Sequence, residues 1–228
     1  MADRTAAPDP ARSRVALVLG ASRGLGAALA EALGADGWQI VAVARTTGAL
    51  EELDDRIRRR GGPAATLAPM DITQDEAMRT LCRGVHDRWG GADLWVHAAV
   101  HAAPLSPAGH IAARDWDRSV AINVRATGVL IPMIEPLLRP TPGGGTALFF
   151  DDPQGTARFH GAYGATKAAQ IALARSWQAE SVRLGPRVLI ETPPPMPTAL
   201  RARFRPGEDR STLTPCADVA AALLPRLG

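Results

Sequence analysis

The chain has 228 residues, 46% of them hydrophobic, which is enough to bury a full core as one domain of α/β type. Its sequence pI is near 9.5, yet the formal net charge is only +3 and acidic residues are interspersed almost everywhere, which speaks against nucleic acid as a partner. Cys82 and Cys216 stand far apart without a C-x-x-C, so neither a disulfide framework nor a zinc site is expected, and a reduced, cytoplasmic setting fits.

In chain order, residues 1–13 (MADRTAAPDPARS) mix Pro, Ala and charges without the apolar stretch of a signal peptide and read as a disordered tail. No later run reaches the length expected of a membrane span. From Arg14, short apolar runs alternate with amphipathic segments. Strands are expected at VALVLG, WQIVAVA, 65–69, 93–99, 146–150 and 187–191. Helices are expected over LGAALAEALGADG, GALEELDDRIRRRGG, 73–89, 112–138, 162–184 and 216–226. The strands are nearly continuous in apolar residues, as parallel strands covered on both faces are. This alternation predicts a Rossmann-like doubly wound parallel sheet of six or seven strands, helices on both faces, in a single domain over 14–228. The arginine cluster from Arg56 to Arg60 falls at a predicted helix end, where cations complement the dipole, and reads as a solvated terminus.

Ligands of such sheets gather beyond the carboxyl ends of the strands, and two motifs belong there. Directly after the first strand, LGASRGLGAALAEAL sets Gly20, Gly24 and Gly26 between strand and helix. Glycines at that point let the backbone turn and approach a pyrophosphate, which the amides of the helix start then hold. Far downstream, Tyr163 and Lys167 are the only tyrosine and the only lysine, four residues apart and so on one face of a helix. A nearby ammonium favours a phenolate, so Lys167 is expected to lower Tyr163 from its ordinary pKa of about 10 and make it a general acid or base.

With the glycine loop and Y-x-x-x-K in this order, the chain resembles the short-chain dehydrogenase/reductase family over roughly 14–222. The resemblance implies a dinucleotide on Gly20, Ser22, Arg23, Gly24, Leu25 and Gly26. No acidic residue follows the second strand; Arg45 stands there instead. With Arg23 it suits a 2′-phosphate, which points to NADP(H). Asp71 and Ile72 match the adenine contact, Ala98 the stretch after the fourth strand, Thr198 the threonine after the sixth, and Tyr163 and Lys167 the ribose partners. Asn123 matches the family's helix asparagine behind the lysine.

The departures lie elsewhere. The family's serine at the end of the fifth strand is missing from TALFFDDPQGTARFHGAYGATK. Counting back the family spacing selects Phe150, whereas aligning FF and Gly155 selects Asp152, the preferred replacement. An ionised aspartate accepts hydrogen bonds and repels an oxyanion; a protonated one donates as serine does. A solvent-facing Asp-Asp-Pro turn is the plain alternative. His97-Ala98-Ala99-Val100 stands for the family's N-A-G, and Pro195 removes a backbone N–H expected to meet the nicotinamide. His101, His110 and His160 lack ligand spacing, and no metal is expected.

The resemblance therefore implies an NADPH-dependent reductase or dehydrogenase of a ketone or other carbonyl on a small molecule, with Tyr163, Lys167, Asn123 and Asp152 at the chemistry and a substrate loop near 193–214. A non-redox isomerase, dehydratase or cyclase using Tyr163 and Asp152, and a non-catalytic NADP-binding regulator, are the alternatives. No membrane partner is expected; the resemblance leaves oligomeric state open, family members often pairing through helices like 112–138 and 162–184 as homodimers or homotetramers.

Overall fold

The structure, a computed structural model, describes residues 13–138, 144–183 and 185–227. The predicted tail lies outside them apart from Ser13, as does residue 184 of the helix expected over 162–184. Strands β1 (Val15–Leu19), β2 (Gln39–Ala44), β3 (Thr66–Pro69), β4 (Leu94–His97), β5 (Thr146–Phe150) and β6 (Arg187–Glu191) form one sheet in the order β3-β2-β1-β4-β5-β6. Every pairing is parallel. All five residues of β1 are wholly buried, because this central strand is covered on both faces and spends no polar side chain.

The helices are α1 (Gly24–Ala35), α2 (Thr47–Arg59), α3 (Asp75–Trp89), α4 (Ala113–Ser119), α5 (Ala126–Leu138), α6 (Gly161–Glu180), α7 (Ala199–Phe204) and α8 (Cys216–Leu223). Those of α1, α2 and α8 pack together over one face, and α3, α5 and α6 over the other, so that each face has its own apolar cluster. Leu50, Leu53 and Ile57 repeat at helical spacing in α2 and turn inward, leaving its charges outside. The arginine cluster there is tied down rather than merely solvated. Arg56 and Arg60 reach Glu31 of α1 at 2.9 and 3.2 Å, and Arg58 reaches Asp54 at 2.8 Å.

Because β1 pairs with β2 on one side and β4 on the other, Leu19 lies level with both Val43 and His97, and the connections from β1 and β4 diverge above them. At such a switch point doubly wound sheets place their ligand crevice. The helix predicted over 112–138 is realised as α4, a π turn at Val120–Arg125 and α5, with Pro132 and Pro136 inside α5. The wide turn falls on Asn123 and rotates its side chain out of the regular helical order. Taken together, Ala113–Leu138 has the length and mean hydropathy, 1.3, of a membrane span, against the expectation that no run would. Its Ala126, Leu130, Ile134 and Leu138 instead face the core beneath the sheet at i, i+4 spacing.

Helix α7 lies inside the segment expected to be a plain substrate loop. Thr198 caps it by accepting a hydrogen bond from the Arg201 amide at 3.2 Å. A Thr directly before ALRARF, a run of good helix formers, is the signal that the sequence carried for it.

Candidate active site

The glycine loop turns at the mouth of the crevice because its backbone must. Gly20 sits at φ +88° and a Cβ there would come within 2.6 Å of the Ala99 amide nitrogen. A Cβ on Gly26 would strike the Gly20 carbonyl oxygen and come within 3.0 Å of the Ala98 methyl. Loop, helix start and the strand-four connection are thus packed backbone to backbone, with Leu25 buried and Ser22 half-buried in the turn. Gly24, at φ +60°, is less crowded, a Cβ there lying in ordinary contact with the Thr198 methyl at 3.5 Å. Arg23 is exposed in the extended residue that precedes α1. Arg45, exposed after β2, stands 3.9 Å from Asp71, whose carboxylate also accepts from the Thr73 amide and hydroxyl at 3.0 and 2.8 Å. Ile72 is buried beside it.

Deeper in the crevice, Asn123 is fully buried and every polar atom of its side chain is used. Its Oδ1 accepts from the His101 amide at 2.7 Å, and its Nδ2 donates to the His101 carbonyl and to Thr166 Oγ1, both at 2.9 Å. It clamps the connection after β4 to α6. His97 at the end of β4 points the other way, into an aromatic nest of Trp95 and Phe149.

Asp152 and Tyr163 are brought together. The phenol donates to Asp152 Oδ2 at 2.9 Å. Several local features aim the carboxylate: the Asp152 amide donates to Asp151 Oδ1 at 2.8 Å, the Gly155 amide closes a turn on the Asp152 carbonyl at 2.9 Å, and a Cβ on Gly155 would lie only 3.6 Å from the tyrosine ring. A solvent-facing Asp-Asp-Pro turn is therefore not what forms; Phe150, the other residue considered, ends β5 as part of the core.

The phenol moves opposite to the direction expected of Lys167. Burial, then the Asp152 charge and its hydrogen bond, then Asp151, push Tyr163 far above its ordinary range. Lys167 meanwhile donates a hydrogen bond to Gln170 Oε1 at 2.7 Å, and burial, opposed by Asp151 and Asp152, brings its pKa down to about 8. A carboxylate touching the hydroxyl outweighs a cation spent on another acceptor. Gln170 was not foreseen, because a glutamine one turn beyond Lys167 reads as an ordinary helix former.

Helix α7 closes the crevice over this pair. Phe204 lies 5.0 Å from the Tyr163 ring and 4.7 Å from that of His160. Arg203 donates to the Ala102 carbonyl at 2.7 Å, and Arg201 grips Glu208 with both nitrogens at 2.5 Å. Tyr163 is left 4% exposed. Phe159, at φ 71°, is the non-glycine residue with a left-handed backbone in the adjoining loop, where its carbonyl accepts from the Ser106 amide at 3.0 Å. His101, His110 and His160 lie apart, and no group of three metal-binding side chains forms among the described residues.

Residues 14–209 match the short chain dehydrogenase family. An uncharacterized oxidoreductase of Mycobacterium bovis is 30% identical over 226 residues, covering 95% of this chain but 64% of that protein, so the chain spans less than two thirds of that relative's length. A solved chain described as a short chain dehydrogenase from Pseudomonas syringae superposes with a TM-score of 0.88 at 28% identity, covering 100% of this chain and 94% of that one. Another, from Shigella flexneri and complexed with NADP, has a TM-score of 0.88 at 25% identity and covers 95% and 92%.

Proposed function

The chain belongs to the short-chain dehydrogenase family, and on that premise we propose that it is an NADP(H)-dependent oxidoreductase of a carbonyl, or the corresponding alcohol, on a small organic substrate. The observation that carries this reading is the backbone-to-backbone packing of Gly20 and Gly26 against the connection after β4, which shapes a dinucleotide cradle at the switch point beside Tyr163.

The chain's residues fit the dinucleotide. Gly20 and Gly26 bring backbone so close that no side chain could intervene, and the start of α1 follows at Gly24, where amides and dipole favour a pyrophosphate. Arg23 and Arg45 are exposed cations at the adenosine end, suited to a 2′-phosphate, with Asp71 available to the adenine side. The Shigella relative's NADP complex supports the same choice. When bound, the cofactor supplies or takes a hydride at its nicotinamide ring.

The protein's own part is the proton. With Asp152 ionised, the phenol is bound to a carboxylate and resists releasing its proton. Reduction therefore requires that the proton passed to the substrate oxygen leave one negative charge on the pair, not a phenolate beside a carboxylate. Oxidation is served by the Asp152 carboxylate as acceptor of the alcohol's proton, with the Tyr163 phenol staying neutral. Lys167, charged below about 8, adds a cation at the back of the site. Phe204 and the rest of α7 exclude water, and access requires α7 to move.

The test is purified protein with NADPH and a panel of ketones and aldehydes. Oxidation of NADPH in step with carbonyl loss is expected, and its abolition in Tyr163→Phe with NADPH affinity retained. One specific observation favours a second reading: a phenol and a carboxylate in direct contact form an acid/base pair that needs no hydride for an isomerisation or dehydration. Consumption of NADPH in equal measure with product excludes it.

A further inference from the structure

Behind Lys167 lies a set of buried polar side chains that the proposed chemistry does not use. Gln170 accepts from Lys167 through Oε1, and its Nε2 donates to Thr127 Oγ1 at 3.1 Å. His97 Nε2 lies 2.9 Å from the same Oγ1, and that hydroxyl donates to the Asn123 carbonyl at 3.0 Å. Exposure is 6% at Lys167, 2% at His97, 1% at Gln170 and zero at Thr127, so none of these groups can exchange its partner for bulk water.

The proton count orders the whole set. A threonine hydroxyl has one hydrogen, and here it is given to the Asn123 carbonyl, so its oxygen can only accept from the other two neighbours. Gln170 Nε2 and His97 Nε2 are then both donors. His97 must be the neutral Nε2–H tautomer, in keeping with burial, and secondarily the Lys167 charge, which hold it down to about 3. Its Nδ1 is buried without a partner among the described residues, as an acceptor nitrogen of that tautomer with no donor nearby. With its amide nitrogen committed to Thr127, Gln170 can turn only its carbonyl oxygen towards Lys167.

We propose that Gln170 is a positioning residue for Lys167: its amide, locked by Thr127 and His97, holds the amine against the core and keeps it in register with Tyr163. Gln170 acts through Lys167 alone. Its worth to the reaction rests on the reading of Lys167 as the partner of cofactor and phenol, but the positioning does not. The charged groups facing the amine are Asp151 and Asp152 beyond β5, which favour the ammonium; His97 of β4 and Tyr163 of α6 are both held neutral. Within that setting Gln170 Oε1 is the neutral acceptor that makes a buried ammonium tolerable.

Lys167 is the only lysine, so full-length protein carrying isotopically labelled lysine gives a single side-chain NMR signal whose pH titration reads this amine directly. The wild-type midpoint is expected near 8. Gln170→Met removes the acceptor and shifts the midpoint down by about one pH unit, Thr127→Val releases the amide and shifts it down by less, and Gln170→Glu shifts it up. The Glu variant keeps the test decisive if the Met variant does not fold. NADPH binding, followed by tryptophan fluorescence on the same samples, weakens for Gln170→Met above its new midpoint. Midpoints that stay with the wild type in both Gln170 variants overturn the proposal. Shifted midpoints in a protein that binds no NADPH leave the positioning standing and overturn the oxidoreductase reading instead.

Discussion

At the pyrophosphate end of the crevice, backbone meets backbone: Gly20 and Gly26 touch the connection after β4 so closely that the loop has one shape. At the substrate end, side chains meet side chains. Asp152 stands on Tyr163, Gln170 on Lys167, and Phe204 covers the pair from a short helix held by Arg203 and Arg201. A site built from backbone tolerates little variation and keeps its pattern. A site built from side chains can be rewired residue by residue, and in this chain Lys167 has a partner, Gln170, outside the pattern expected of it.

The largest test of this contrast is at Tyr163. Tyr163→Phe is expected to cut turnover by about 10²–10⁴-fold, the usual share of a positioned acid, without abolishing NADPH binding, as steady-state rates and binding isotherms will read. If binding falls with turnover, the two ends are not independent.

Next comes the backbone end. Gly20→Ala forces a side chain onto the Ala99 amide at a left-handed φ, so the fold is expected to lose about 1–3 kcal/mol or more in denaturant unfolding and to lose NADPH binding with it. Arg45→Ala leaves the fold intact and removes a charge-assisted contact. NADP affinity should fall by about tenfold or more while NAD affinity holds, measured by competitive titration.

The substrate end responds to pH. Lys167 is charged below about 8 and loses its proton above it, so reductive kcat/KM is expected to decline as pH rises through that value. A reductive rate that climbs above pH 8 would contradict this. The smallest effect is spectroscopic: Asp152→Asn removes the charge on the phenol, so the signal of the only tyrosine, labelled at Cζ, should titrate at a lower pH than in the wild type.

Much of the fold was legible because it rests on local pattern. The six strands fall within a residue or two of their apolar runs, and α2 and α3 follow from spacing of Leu50, Leu53 and Ile57 and of Met78, Cys82 and Val85. The π turn at Asn123 was not legible, since nothing local distinguishes it from the regular turns on either side; it answers to the clamp on His101 and Thr166. Helix α7 had a capping threonine as its signal, but the surrounding prolines and arginines read as loop.

At the site, the division is one of energy range. Periodicity, glycine placement and the solitary Tyr163 and Lys167 specified the scaffold and which residues stand on one face, because those follow from steric limits and hydrophobic burial along the chain itself. The acidity of that pair depended on neighbours distant in sequence. Asp152, Asp151 and burial outweigh the i, i+4 relation at Tyr163, and Gln170, oriented by Thr127 and His97, holds the amine that the spacing alone would have left to the phenol. In a buried crevice of low dielectric, direct contacts and desolvation govern charge, and both exist only once strands and helices have been packed together.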